Sequence, residues 1–109
     1  AGGSKAYEGE WKDDKFHGRG TVFNEAPAKL YGEFDYTNFD HVGDYWVKYE
    51  GEFFNDNKEG NGLLLLTNGD RYQGQFRDDM VHGIGTFYSF TGNIIQGEWW
   101  QNRLIRTFE

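Results

Sequence analysis

From Tyr7 to Trp11 the chain alternates large, acidic, glycine, acidic, large, the period-two pattern of a strand whose two faces differ. Tyr7, Gly9 and Trp11 share one face; Glu8 and Glu10 share the other. A polar stretch of low strand propensity, Asp13-Asp14-Lys15, leads into Gly18-Arg19-Gly20-Thr21-Val22-Phe23, so the segment predicts a β-hairpin. The same order recurs in Tyr49-Glu50-Gly51-Glu52-Phe53 followed by Gly60-Asn61-Gly62, and in Tyr72-Gln73-Gly74-Gln75-Phe76 followed by His82-Gly83-Ile84-Gly85-Thr86-Phe87. Leu30-Tyr31-Gly32-Glu33-Phe34 and Ile95-Gln96-Gly97-Glu98-Trp99 are degenerate copies of the first half. The recurring glycines Gly9, Gly32, Gly51, Gly74 and Gly97 are separated by 23, 19, 23 and 23 residues. Self-similarity at this period predicts a stacked array in which each unit packs on its neighbours. The expectation is an all-β chain of about five antiparallel hairpins over 7–29, 30–48, 49–71, 72–94 and 95–109, forming one elongated, twisted, single-layer sheet with a concave groove. Residues 1–6 form a leader, in which Ala1-Gly2-Gly3-Ser4 reads as a cloning remnant.

Glycine inside a strand weakens it and packs nothing, so its repetition needs a cause. One cause is room, since a missing side chain leaves a slot for a ring such as Tyr7 or Trp11; the alternative is a bulge or tight bend. The second unit is irregular. His41 stands where a glycine is expected, and only six residues separate Gly43 from Tyr49, against ten from Gly20 to Leu30. This predicts a short second strand at Tyr45-Trp46-Val47 and a kink in the stack. Leu63 to Leu66 puts leucine on both faces of a strand, which implies cover on both, or ordinary core under a loop. The last unit loses both later glycines, making it a cap or an open edge that invites end-to-end pairing.

Aromatic residues make up 19% of the chain, which excludes a disordered linker. Without cysteine there is no disulfide framework, thiolate metal site or cysteine nucleophile, and a reducing cytoplasm fits. The net charge of −7 repels nucleic-acid phosphates and anionic lipid head groups, and Lys and Arg lie singly among acids. Nucleic acid is therefore not an expected partner, and a membrane surface is a disfavoured one. The longest apolar run, Leu63 to Leu66, is far short of a membrane-spanning helix.

Catalytic inventory is thin. The serines are Ser4 and Ser89 only. His17 and His82 occupy equivalent repeat positions, and a residue that recurs with each turn serves the turn. The pairs Asp13-Asp14 and Asp78-Asp79 recur for the same reason and lack calcium-loop spacing. The glycine pairs precede neither Lys-Ser nor Lys-Thr, so no phosphate loop is expected. The reading is of a protein that is not an enzyme, with no cofactor and no metal.

The arrangement aromatic-x-Gly-x-aromatic, polar turn, His-Gly-x-Gly at a 23-residue interval resembles the MORN (membrane occupation and recognition nexus) repeat. Units one and four match throughout, and unit three has Glu59 in place of the histidine. The resemblance implies hairpins forming a grooved single-layer sheet that serves as a scaffold in cytoskeletal or membrane-associated assemblies. Carried over residue by residue, it implies a partner-binding groove of Tyr7, Trp11, Phe34, Tyr49, Phe53, Tyr72, Phe76 and Trp99. The groove-forming glycines would be Gly18, Gly20, Gly60, Gly62, Gly83 and Gly85.

Nine or ten strands at about 4.8 Å give a groove of roughly 45 Å, the length of about 30 helical residues. With acids at Glu8, Glu10, Glu33, Glu50, Glu52 and Glu98, the expected partner is another protein's helix or peptide, apolar on one stripe and basic at its edges. A homodimer or end-to-end association is the alternative cover for the aromatic row, and a phosphoinositide-binding membrane module is the rival function.

Overall fold

The computed structural model describes residues 5–108. Strands β1 (Lys5–Lys12), β2 (Lys15–Asn24), β3 (Trp46–Phe54), β4 (Asn57–Leu66), β5 (Arg71–Arg77), β6 (Met80–Tyr88), β7 (Ile94–Trp100) and β8 (Arg103–Thr107) form one open antiparallel sheet in sequence order. The molecule measures 42 × 27 × 19 Å. Each hairpin turns through two residues at positive φ: Asp13-Asp14, Asn55-Asp56, Asp78-Asp79 and Gln101-Asn102. Both central residues of such a turn must be left-handed, and Asp and Asn tolerate that region, which is why acids and amides recur there.

The all-β hairpin array holds, with four hairpins instead of five. Residues 30–48 do not form a hairpin. From 25 to 45 the chain leaves the sheet, makes a 3₁₀ turn at Phe39–His41 and returns, so that Trp46 opens β3 and does not belong to a strand of its own unit. The physical reason lies in the irregularities of that unit. Leu30 replaces the leading tyrosine and His41 one of the glycines, so the ring-and-slot pair that packs the other hairpins cannot form. Lys5 and Ala6, expected in the leader, pair with Asn24 and Phe23 in β1, and Ala1-Gly2-Gly3-Ser4 lies outside the described residues.

The 25–45 segment is a strap. Leu30 N–H donates to Thr67 Oγ1, Phe34 N–H to Asp70 Oδ2 and Leu104 N–H to the Thr37 carbonyl. Asn38 and Arg103 form a bridge, so the start of the outer edge of β8 is occupied. Phe34, Phe39, Tyr36 and Val42 pack onto the ring-bearing face of the sheet, where the core residues Tyr49, Leu64, Leu66, Tyr72, Phe76, Phe87 and Trp99 lie. The sheet therefore carries a partial second layer, where a bare single layer was expected. Leu64 and Leu66 are buried beneath it, while Leu63 and Leu65 on the opposite face are only half-buried, so the leucine run is covered fully on one face.

Candidate docking face

Tyr7, Tyr49 and Tyr72 each lie over a pair of glycines facing one another across a hairpin: Gly9 and Gly20, Gly51 and Gly62, Gly74 and Gly85. A Cβ built on Gly20 would fall 2.6 Å from Tyr7 Cζ, and one on Gly62 2.5 Å from Tyr49 Cζ. The slot is thus a pair of missing side chains, with half its glycines contributed by the first strand. Each phenol donates to a carbonyl three residues on, Glu10 at 2.6 Å, Glu52 at 2.8 Å and Gln75 at 3.1 Å. Burial pushes the Tyr49 and Tyr72 hydroxyls well above the usual phenol range, against a lowering by those backbone hydrogen bonds.

Gly18, Gly60 and Gly83 do something else. Their φ angles are 76°, 87° and 109°, and at each the strand register breaks. The side chain of Glu10, Glu52 or Gln75 folds into the bulge and accepts from the N–H of Arg19 (2.7 Å), Asn61 (2.8 Å) or Ile84 (2.8 Å). Of the six glycines expected to make room for rings, Gly20, Gly62 and Gly85 do so. Gly18, Gly60 and Gly83 supply the bulge instead, because a left-handed backbone there aims the following N–H at the acid or amide.

Trp11, Phe53, Phe76 and Trp99 form a second row. Within a unit the two rings meet edge-to-face, with centroids 5.0 Å apart for Tyr7 and Trp11, 5.1 Å for Tyr49 and Phe53 and 5.4 Å for Tyr72 and Phe76. Between units the second-row ring meets the tyrosine of the unit before it: Tyr7 with Phe53 at 5.3 Å, Tyr49 with Phe76 at 5.0 Å, Tyr72 with Trp99 at 5.2 Å. Edge-to-face contact suits the quadrupoles of both rings. Phe53, Phe76 and Trp99 are buried, whereas Trp11 is 58% exposed. Phe16, stacked at 3.9 Å on Tyr7, completes the open end; its equivalents are Lys58 and Val81, so periodicity gave no signal for it. Phe34 does not line the face from a strand. It sits in the strap, 6% exposed, and presses onto the face from above, 5.1 Å from Phe39.

Neighbouring hairpins are joined by the turns. Asp56 Oδ1 accepts from Phe16 N–H at 2.7 Å while Asp56 N–H donates to the Phe16 carbonyl at 2.9 Å. Asp79 does the same with Lys58, and Asn102 with Val81. Asp70, 1% exposed, anchors the strap: it accepts from Phe34 N–H, Phe90 N–H (2.7 Å) and Asn68 Nδ2 (2.9 Å). In the sequence Asp70 follows Asn68-Gly69, a pair that signals a turn and gives no sign of a buried anchor.

A family model for the MORN repeat matches residues 7–22, 49–71 and 72–94, more than half of the chain. The chain belongs to the MORN repeat family. No curated protein matches it. The unmatched stretches contain the strap and the last hairpin, where the ring-and-glycine pattern fails. MORN repeats are commonly protein- or membrane-binding modules and are not enzymatic.

The three histidines of this MORN array take separate places. His82 Nδ1 accepts from Gln101 N–H at 3.1 Å and its ring lies 4.5 Å from Trp100, while His17 packs 5.2 Å from Phe54. His41 lies apart, beside Asn38 on the strap. Among the described residues no group of three or more His, Asp or Glu converges as metal ligands would. No helix among them is long and apolar enough to cross a membrane.

Proposed function

We propose that this chain is a non-catalytic docking scaffold that takes an amphipathic segment of another protein on its ring face, apolar on one stripe and basic at its edges. The observation that carries the reading is the strap. A single 3₁₀ turn seats Phe39 5.5 Å from Tyr72 and 6.1 Å from both Phe87 and Trp99, so the face accepts a short helical segment with an aromatic anchor. Rigid rings give large contact area at low ordering cost.

Where the strap ends, Tyr7 and Trp11 keep the edge-to-face arrangement with Phe16 beside them, Trp11 exposed and the other two half-buried. The free face spans the first hairpin, about 10 Å or two helical turns, so with the strap in place a partner inserts an anchor and not the 30-residue helix of the bare-groove expectation. The net charge of −7 steers a basic segment toward the sheet and away from anionic lipid. A cytoplasmic assembly, cytoskeletal or membrane-associated, is the setting the family suggests.

Affinity capture with wild type, Trp11→Ala and Phe54→Ala tests this. Trp11→Ala is expected to reduce partner recovery at least tenfold, in keeping with a ring at the centre of an interface, and Phe54→Ala, on the opposite face, to leave it unchanged. Equal recovery with all three overturns the assignment. Pelleting with anionic liposomes at low salt would favour the phosphoinositide reading, and a dimer by light scattering would favour self-association.

A further inference from the structure

We infer that the outer edge of β1 is a docking edge for an extended strand of another protein, of the sequence type glycine-basic-glycine-polar-aliphatic. Every joint between hairpins in this molecule is built from three parts. Glycine faces glycine across it, Gly20 with Gly51, Gly62 with Gly74 and Gly85 with Gly97. A second-row ring meets the preceding tyrosine. The second turn residue exchanges two hydrogen bonds with the preceding hairpin.

β1 carries the receiving half of all three parts in the same register: Gly9, Trp11 and Asp14. Among the described residues no strand lies beyond it. The exposures agree, since Trp11 is 58% exposed where Phe53, Phe76 and Trp99 are 5%, 4% and 0%. Gly9 also faces solvent, whereas Gly51 and Gly97 are buried and Gly74 half-buried. The edge thus continues an interface that the molecule already makes three times.

The chemistry of the occupant follows from the first joint, where Gly18 faces Phe53, Arg19 faces Glu52, Gly20 faces Gly51, Thr21 faces Glu50 and Val22 faces Tyr49. Glu10, Gly9, Glu8 and Tyr7 present the same sequence of demands. A second copy does not meet them through its own β1, because Glu8 and Glu10 would then oppose one another across the pair, and like charges directly opposite are destabilising. Nor does it meet them through β8, where Thr107 faces Gly97 in the slot position and the strap bonds Leu104. With both edges of a second copy unsuited, the occupant we propose is a partner protein's strand, added by main-chain pairing with glycines selected by the slot and a basic residue by the acids.

The test uses a fluorescent synthetic peptide with the sequence of residues 15–24 as the docking strand, read by anisotropy and by amide exchange of the intact chain. Saturating peptide is expected to slow exchange of β1 amides at least tenfold. Trp11→Ala is expected to weaken binding about tenfold. Asp14→Gly, which keeps the left-handed turn, is expected to weaken it about fivefold. Peptides carrying Gly20→Val or Arg19→Glu are expected to lose at least tenfold. No binding at about 1 mM, binding without protection of β1, or equal affinity for the Gly20→Val and Arg19→Glu peptides overturns the inference. Protection of β1 by raised protein concentration alone overturns it in favour of self-pairing. These readouts leave the ring-face reading standing or falling separately, because an anchor on that face protects neither the β1 edge amides nor discriminates against valine at the slot.

Discussion

Gly62→Ala separates steric from conformational demands on glycine. Gly62 does not lie at positive φ, so alanine is conformationally allowed there and gains about 0.5–1 kcal/mol through the unfolded chain. Its Cβ, however, would lie 2.5 Å from Tyr49 Cζ, about 1 Å inside ordinary contact. Tyr49 is 0% exposed and held between Phe53 at 5.1 Å and Phe76 at 5.0 Å, so the ring has nowhere to go. Overpacking costs about 1–3 kcal/mol, and displacing the hydroxyl from the Glu52 carbonyl about 1 kcal/mol more. The net destabilisation is about 2–3 kcal/mol, a large fraction of a typical domain's stability.

Urea unfolding followed by far-ultraviolet circular dichroism measures this. Two comparisons sharpen the result. Gly32→Ala, at φ 81° with open space around it, is expected to cost about 1–2 kcal/mol through backbone strain alone. In a Tyr49→Ala background Gly62→Ala should lose nearly its whole cost, since the ring it strikes is gone, giving a coupling of about 2 kcal/mol. A Gly62→Ala chain within 0.5 kcal/mol (about the noise of such comparisons) of wild type, or one whose cost is unchanged in the Tyr49→Ala background, refutes the slot.

Asp70→Ala removes the acceptor shared by Phe34 N–H, Phe90 N–H and Asn68. It should cost about 3 kcal/mol by thermal unfolding, with amide exchange at 34–39 accelerating before the sheet's; unchanged strap protection would contradict its anchoring role. Asp56→Gly keeps the turn but loses the Phe16 acceptor, an expected cost of about 1 kcal/mol, whereas Asp14→Gly in the isolated chain should be neutral within about 0.5 kcal/mol. The Tyr49 and Tyr72 phenols lie above their unfolded value of about 10 in the folded chain. Their stabilisation is therefore complete below pH 10 and lost as pH rises through the folded values, because the unfolded chain releases those protons first. Between pH 10 and 11 the urea midpoint should fall more steeply in wild type than in Tyr49→Phe/Tyr72→Phe, by up to about 1.4 kcal/mol per pH unit per phenol; parallel slopes would contradict buried, protonated hydroxyls.

The hairpins were legible because alternation and period coincide: Tyr49, Gly51 and Phe53 recur as Tyr72, Gly74 and Phe76 and take identical places. The use of Asp56 and Asp79 as ties between hairpins was not legible, since a turn preference and a bridging carboxylate call for the same residue. The division of labour between Gly20 and Gly18 was not either, because both are glycine and only the backbone, extended at one and at 76° in the other, tells a slot from a bulge. The strap hid for a different reason. Leu30 to Phe34 resembles a first strand locally, yet long-range contacts of Phe34 and Phe39 with hairpins three and four decide its path, and tertiary packing overrides such local patterns. Trp11 and Tyr7 were identified as face residues from the same pattern that gave Phe76 and Trp99, but the pattern carries no measure of cover.

The central claim is that the chain's own strap fills the ring face over the later hairpins and leaves the first hairpin open. Aromatic nuclear Overhauser spectroscopy on the intact chain addresses it directly. Phe39 ring protons are expected to show contacts with Tyr72, Phe87 and Trp99, and the Trp11 ring with Tyr7 and Phe16 only. A Phe39 ring at random-coil shifts with no contact to those three residues would contradict the account.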